Sequence, residues 1–208
     1  MARKVLLACG IVSSLVYLGN DLAALLRYPG YDFFSQTISE LSAIGAPSRS
    51  LIVVLGMAYT VLVIAFGLGI WLSADGKHSL RVAAALLIAA AVFGSFWPPM
   101  HMRGAVFAHT DMLHIVWTAG WLLLTMVAMS LAGAALGKRF LYYTIVTIVV
   151  ELLFGFLTGL QAPRIAADLP TPWAGLTERI NIGAFLLWIV VLAVELWPRQ
   201  PRPSFQTR

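Results

Sequence analysis

Residues 98–114 read PPMHMRGAVFAHTDMLH and hold three of the chain's four histidines, together with Arg103 and Asp111. Imidazole and carboxylate are zinc ligands and general acids or bases. His101, His109 and His114 are therefore candidate metal ligands, with zinc the cofactor they would suit. His109, Asp111 and His114, with Glu178 further along, are candidate catalytic groups for attack on an ester, amide or phosphodiester by a metal-held hydroxide. Spacing restrains this reading. No two histidines stand at i, i+4; Asp111 and His114 share a helix face, whereas His109 lies about 140° from His114. The metal content stays open.

A second set suits recognition rather than catalysis. Arg49, Arg103 and Arg179 carry a planar fork that pairs bidentately with carboxylate or phosphate. Asp32, Glu40 and Glu178 are the acids that would balance them, and Ser39 is a further candidate ligand-binding residue.

Something must position these groups, and the composition says what. The 208 residues are 60% hydrophobic and only 11% charged, with a mean hydropathy of +0.87; soluble chains carry about 25% charged residues. A membrane span needs about 20 apolar residues, and six stretches qualify, near 4–26, 51–73, 80–97, 110–136, 140–161 and 177–197. The expected fold is an all-α six-transmembrane-helix bundle, one membrane domain over 1–197, with a basic, disordered cytoplasmic tail over 198–208. The opening run continues to about Leu26 without a small-x-small cleavage pattern, so it reads as a retained first helix. The lone Cys9 excludes an intrachain disulfide.

The net charge of +5 is a matter of topology, not of nucleic-acid binding. Nine of the 14 Lys and Arg residues fall on the side of the termini and five on the other. The positive-inside rule then puts both termini in the cytoplasm, in a multi-pass inner-membrane protein surrounded by lipid. All basic residues outside are arginine, and six of the nine acids lie there too. No oligomeric partner can be named.

In the first outer loop, Thr37 and Glu40 fit a capping box. Phe34, Ile38, Leu41 and Ile44 make one apolar stripe, and Gly45 with Pro47 is a stop signal. The pattern predicts a short amphipathic helix at the membrane interface, with Ser39 and Glu40 capping it or on its solvated face. Asp111 falls in the first turn of span four, where an acid suits the helix dipole. Thr171-Pro172 or Thr177 begins the last helix. Glu151 stands midway along span five, where an ionised carboxylate costs about 2.5 kcal/mol or more. Ser13, Ser14, Thr60 and Thr118 reach a similar depth as candidate partners. It is either interhelical glue or a proton-relay or substrate group.

The segments YDFFSQTISELSAIGAPSR after span one and GLTERI before span six resemble a known family, domain of unknown function 998, whose members are six-helix membrane proteins of bacteria and archaea. Tyr31, Asp32, Ser39, Glu40, Leu41, Gly45, Pro47, Arg49, His114, Gly175, Leu176, Glu178, Arg179 and Ile180 carry the resemblance over essentially the whole chain. Where members often show an FP step after span three, this chain has FWPPMHMRG. The resemblance implies architecture and membrane location and no activity.

Three functions stay in competition. One is an outward-facing site recognising an anionic lipid headgroup or a carboxylate-bearing small molecule. Another is a metal-dependent lipid hydrolase. The third is a structural protein whose outer ion pairs only hold loops together.

Overall fold

The computed structural model describes residues 1–198, so all of the expected tail except Pro198 lies outside the described residues. Lipid offers no hydrogen-bond partners, so each long apolar run must satisfy its own backbone as a helix. Six helices are long and apolar enough to cross a membrane: α1 (Ala2–Arg27), α3 (Arg49–Leu72), α4 (His78–Ser95), α5 (His109–Leu136), α6 (Lys138–Gly159) and α8 (Ala174–Leu196). Two short helices, α2 (Ile38–Leu41) and α7 (Ala162–Ala166), sit in loops. The expected spans match these helices to within three residues at every end. Among the described residues there is no strand, only an isolated bridge between Ile44 and His101.

Each long helix packs on the next, and α8 closes the ring against α1. One end of the bundle therefore carries the start of α1, the end of α8 and two tight turns. The other carries the three loops at 28–48, 96–108 and 160–173. The outward sides of the helices are apolar, as lipid contact demands; Val54, Leu123 and Phe156 are each at least 65% exposed.

The apolar core is concentrated toward the short-turn end. Trp188, Ile189, Leu192 and Leu196 of α8 are buried with Phe66 and Ile70 of α3, Leu80 of α4, Met129 of α5 and Phe140 of α6. Cations finish this end by capping helix C-termini, where carbonyls lack partners. Arg3 donates to the Leu196 carbonyl at 3.0 Å and the Trp197 carbonyl at 3.2 Å. Lys77 donates to the Ala135 carbonyl at 2.8 Å.

Three local expectations change. The amphipathic helix of the first long loop shrinks to the single turn α2: Leu41 is fully buried, while Phe34 and Ile44 are 52% and 41% exposed. The segment is a capped turn pinned to its neighbours, so the apolar stripe does not share one face. Glu40 is 2% exposed, because its carboxylate is engaged from two sides and has no solvated face. The last helix begins at Ala174, between the two expected starts at Thr171-Pro172 and Thr177, and the Thr177 hydroxyl bonds back to the Trp173 carbonyl at 3.0 Å.

Candidate functional site

The first long loop is built from its own side chains. Asp32 Oδ1 accepts from the amides of Phe34 and Ser35 at 2.9 and 2.7 Å, an Asx turn. The Ser35 bonds, with that of Phe34, hold the Asp32 carboxyl below the usual carboxylate range. The capping box forms as the sequence predicts: Glu40 Oε2 accepts from the Thr37 amide at 2.7 Å and the Thr37 hydroxyl at 2.9 Å. Gly45, with φ of +94°, turns the chain beyond it, and the Ser48 hydroxyl returns to the Leu41 carbonyl at 2.7 Å.

Glu40 has a second task. Its Oε1 accepts from Arg103 Nε, which ties the first long loop to the second. Arg103 Nη2 also donates to the Ser35 carbonyl at 2.8 Å and the Thr171 hydroxyl at 2.7 Å. Its Nη1 reaches the Leu169 carbonyl at 3.4 Å. One guanidinium therefore joins all three long loops. Burial, reinforced by the Glu40 carboxylate, raises the Tyr28 phenol above its ordinary value.

The head of α8 is a seat for the first loop. A Cβ on Gly175 would collide with the carbonyl oxygens of Phe33 and Gln36, so only glycine lets the loop backbone lie this close. The next residue, Leu176, donates its amide to the Phe34 carbonyl at 3.1 Å. Glu178 then caps α2 from another helix. Its carboxylate accepts from the Ile38 amide and from the Ser39 hydroxyl at 2.8 Å, meeting donors that a helix start leaves free.

Arg179 completes the assembly. It grips Asp21 of α1 bidentately, Nε to Oδ2 at 3.0 Å and Nη2 to Oδ1 at 2.9 Å, with both side chains under 10% exposed. Nη1 donates to the Phe33 carbonyl at 2.8 Å and the Gln36 carbonyl at 3.2 Å. Nη2 also reaches the Tyr31 hydroxyl at 3.0 Å. The guanidinium carbon lies 4.0 Å from the Phe33 ring centroid, a cation–π contact. Burial raises the Tyr31 phenol well above its usual range, with Arg179 opposing.

The histidines lie elsewhere. Asp111 Oδ2 accepts from the Ala108 amide at 2.8 Å and faces His101 Nδ1 at 2.9 Å, while Oδ1 accepts from the His101 amide at 2.7 Å. Ala108 has no side-chain acceptor, so this is half a capping box, and Asp111 pins the second loop to the head of α5. His114 Nδ1 faces the Trp97 indole N–H at 3.1 Å and the Pro98 carbonyl at 2.8 Å. One ring nitrogen serves only one of these at a time, depending on tautomer. His109 is exposed at the first position of α5. No group of three His, Cys, Asp or Glu residues among those described is close enough to hold a metal ion. His101, His109 and His114 thus do not converge on a zinc-binding set, because the loop geometry separates what the sequence places side by side.

The structure therefore gathers Ser39, Glu40, Arg103, Glu178 and Arg179 around the first long loop, each in contact with its backbone or side chains. It leaves His109 and His114 outside, Arg49 bonded to the Ser42 carbonyl, and Glu151 inside the bundle. Sequence reasoning missed Asp21, Tyr31 as a hydroxyl partner, Gly175 as a seat, and Thr171. The signal for Asp21 was present: an acid among apolar residues at the end of α1 needs a buried partner. A void of about 10 Å³ among Tyr59, Leu87, Trp121 and Phe185 has none of the long-loop polar groups in its lining.

No curated protein and no solved structure matches the chain. The profile of a protein family of unknown function, DUF998, matches residues 11–195. That span takes in every contact of the Arg103 and Arg179 network, and the chain belongs to the DUF998 family of membrane proteins.

Proposed function

We propose that the long-loop end of this integral membrane protein is a clamp that closes the six-helix bundle on its extracytoplasmic side, and that the protein acts as a membrane-embedded scaffold in contact with lipid. One observation carries this reading. Arg103 and Arg179, the best-placed anion receptors, direct their N–H groups at Glu40, Asp21 and loop carbonyls of the same chain. An anionic headgroup would have to displace a buried carboxylate to reach either one. The orientation rests on the distribution of Lys and Arg.

A second reading keeps headgroup recognition and moves it to Arg49, which bonds to the Ser42 carbonyl and, among the described residues, has no carboxylate within ion-pair distance. A hydrolase is the least supported of the three, since Asp111 and His101 pair with each other to hold the second loop, His114 faces Trp97 and Pro98, and no three metal-ligating groups gather among the described residues.

The test is unfolding of the purified protein in detergent, with and without added anionic lipid. Arg103→Gln and Arg179→Gln lower stability equally under both conditions if they clamp loops. If lipid stabilises the wild type and the benefit disappears in these variants, the clamp reading fails. Loss of co-purifying anionic lipid in Arg49→Gln alone supports the second reading.

A further inference from the structure

Glu151 lies eight residues before the end of α6, about 12 Å inside the long-loop end at 1.5 Å per residue. It faces inward: its neighbours Leu152 and Leu153 are half exposed, while Glu151 is 1% exposed. No protein donor or acceptor among the described residues reaches either carboxyl oxygen.

The groups placed to act as glue are engaged otherwise. The Asn181 amide of α8 donates to the backbone carbonyl of Glu151, not to its carboxyl. The Thr147 hydroxyl donates to the Tyr143 carbonyl, and Trp188 bonds to the Thr144 hydroxyl, both at 3.0 Å. Of the four partners expected from depth, Ser13 and Ser14 bond to carbonyls of α1 and α8, Thr118 bonds to the His114 carbonyl, and Thr60 does not reach the carboxyl. The helices α6 and α8 are thus joined without the carboxyl.

An ionised carboxylate in such a site has nothing to stabilise it. A divalent cation would want several oxygen or nitrogen ligands, and no such group forms here. A proton needs only the one carboxyl. The surrounding charges leave the site to itself. On α6 the nearest titratable group on the same side is Tyr143, whose buried hydroxyl likewise meets no hydrogen-bond partner among the described residues. On α8, Glu178 and Arg179 are about one turn nearer the loops, engaged with α2 and with Asp21 respectively, and no ionisable residue follows Arg179 until Glu195. On α5, Asp111 and His114 are likewise near the loops and engaged, and nothing ionisable follows them.

We propose that Glu151 is a proton-binding site inside the membrane domain, protonated in the conformation described and able to exchange that proton with water when the packing of α6 against α8 opens. On release the carboxyl O–H bond breaks, the proton passes to water and the anion stays on Glu151.

Infrared spectroscopy of the full chain in lipid nanodiscs tests this. The wild type should show a carboxylic-acid C=O band at neutral pH that shifts in heavy water, declines as pH rises and is missing from Glu151→Gln. A band lost in Glu151→Gln that neither shifts in heavy water nor titrates would overturn proton exchange. If Glu151→Gln removes no band at all, the group is ionised and the proposal falls. The Glu151→Leu variant gives an independent arm. Its melting temperature should match or exceed that of the wild type, and a clear drop would mean the carboxyl holds helices together instead.

Discussion

The two ends of this bundle are closed by different forces. At the short-turn end, Trp188, Leu192, Leu196 and Phe66 pack as a dry core, and Arg3 and Lys77 only finish helix C-termini. At the long-loop end the buried residues include Asn20, Asp21, Thr37, Glu40, Ser48, Asp111 and Thr171, and contact is made by ion pairs and caps. The difference follows from loop length. A tight turn lets neighbouring helices pack to their ends. Three loops of a dozen or more residues bring backbone amides and carbonyls that need partners, and Arg103 and Arg179 supply donors to several carbonyls at once.

The sharpest break is expected at Arg179→Leu. Removing one partner of a buried pair leaves Asp21 uncompensated, at a cost of about 3–5 kcal/mol. The double variant Asp21→Leu/Arg179→Leu should recover part of that loss in detergent unfolding. Trp188→Ala, the counterpart at the other end, should cost about 2–3 kcal/mol. That is below the cost in a soluble core, because lipid already shelters apolar side chains. If Trp188→Ala proves much the costlier, the contrast between the ends is wrong.

Gly175→Ala should cost about 1–3 kcal/mol. Its increase in amide hydrogen exchange should be confined to residues 31–49, leaving the short-turn end unchanged. Thr37→Ala should cost about 1 kcal/mol as a lost cap, again read as faster exchange at the start of α2.

The smallest effect belongs to pH. The Asp32 carboxyl is held below its ordinary value by loop amides, so it contributes stability above its unfolded value of about 3.9. That contribution fades as pH falls through the lower folded value. Asp32→Asn should remove part of the acid-side loss of stability as pH falls below about 4.

Much of this fold is written locally. Six apolar runs, the Thr37–Glu40 box and the first-turn position of Asp111 follow from spacing, and the structure has them. Pairings across the bundle were not legible. Glu40 was set against three arginines, Arg49, Arg103 and Arg179, and nothing in the spacing picks out Arg103. Asp21 and Arg179 are 158 residues apart, and no local pattern links them. The histidines misled for the opposite reason. Residues 101–114 are close along the chain, but the turn from His101 to Ala108 sends His101 toward Asp111 and leaves His114 against Trp97. Gly175 was noticed as part of a motif, yet its purpose depends on carbonyls of a distant loop.

A double-mutant cycle on Glu40→Gln and Arg103→Gln, measured by unfolding with and without anionic lipid, addresses the clamp most directly. The account predicts a coupling of more than about 1 kcal/mol, unchanged by lipid. Absence of coupling, or coupling that lipid abolishes, would contradict it.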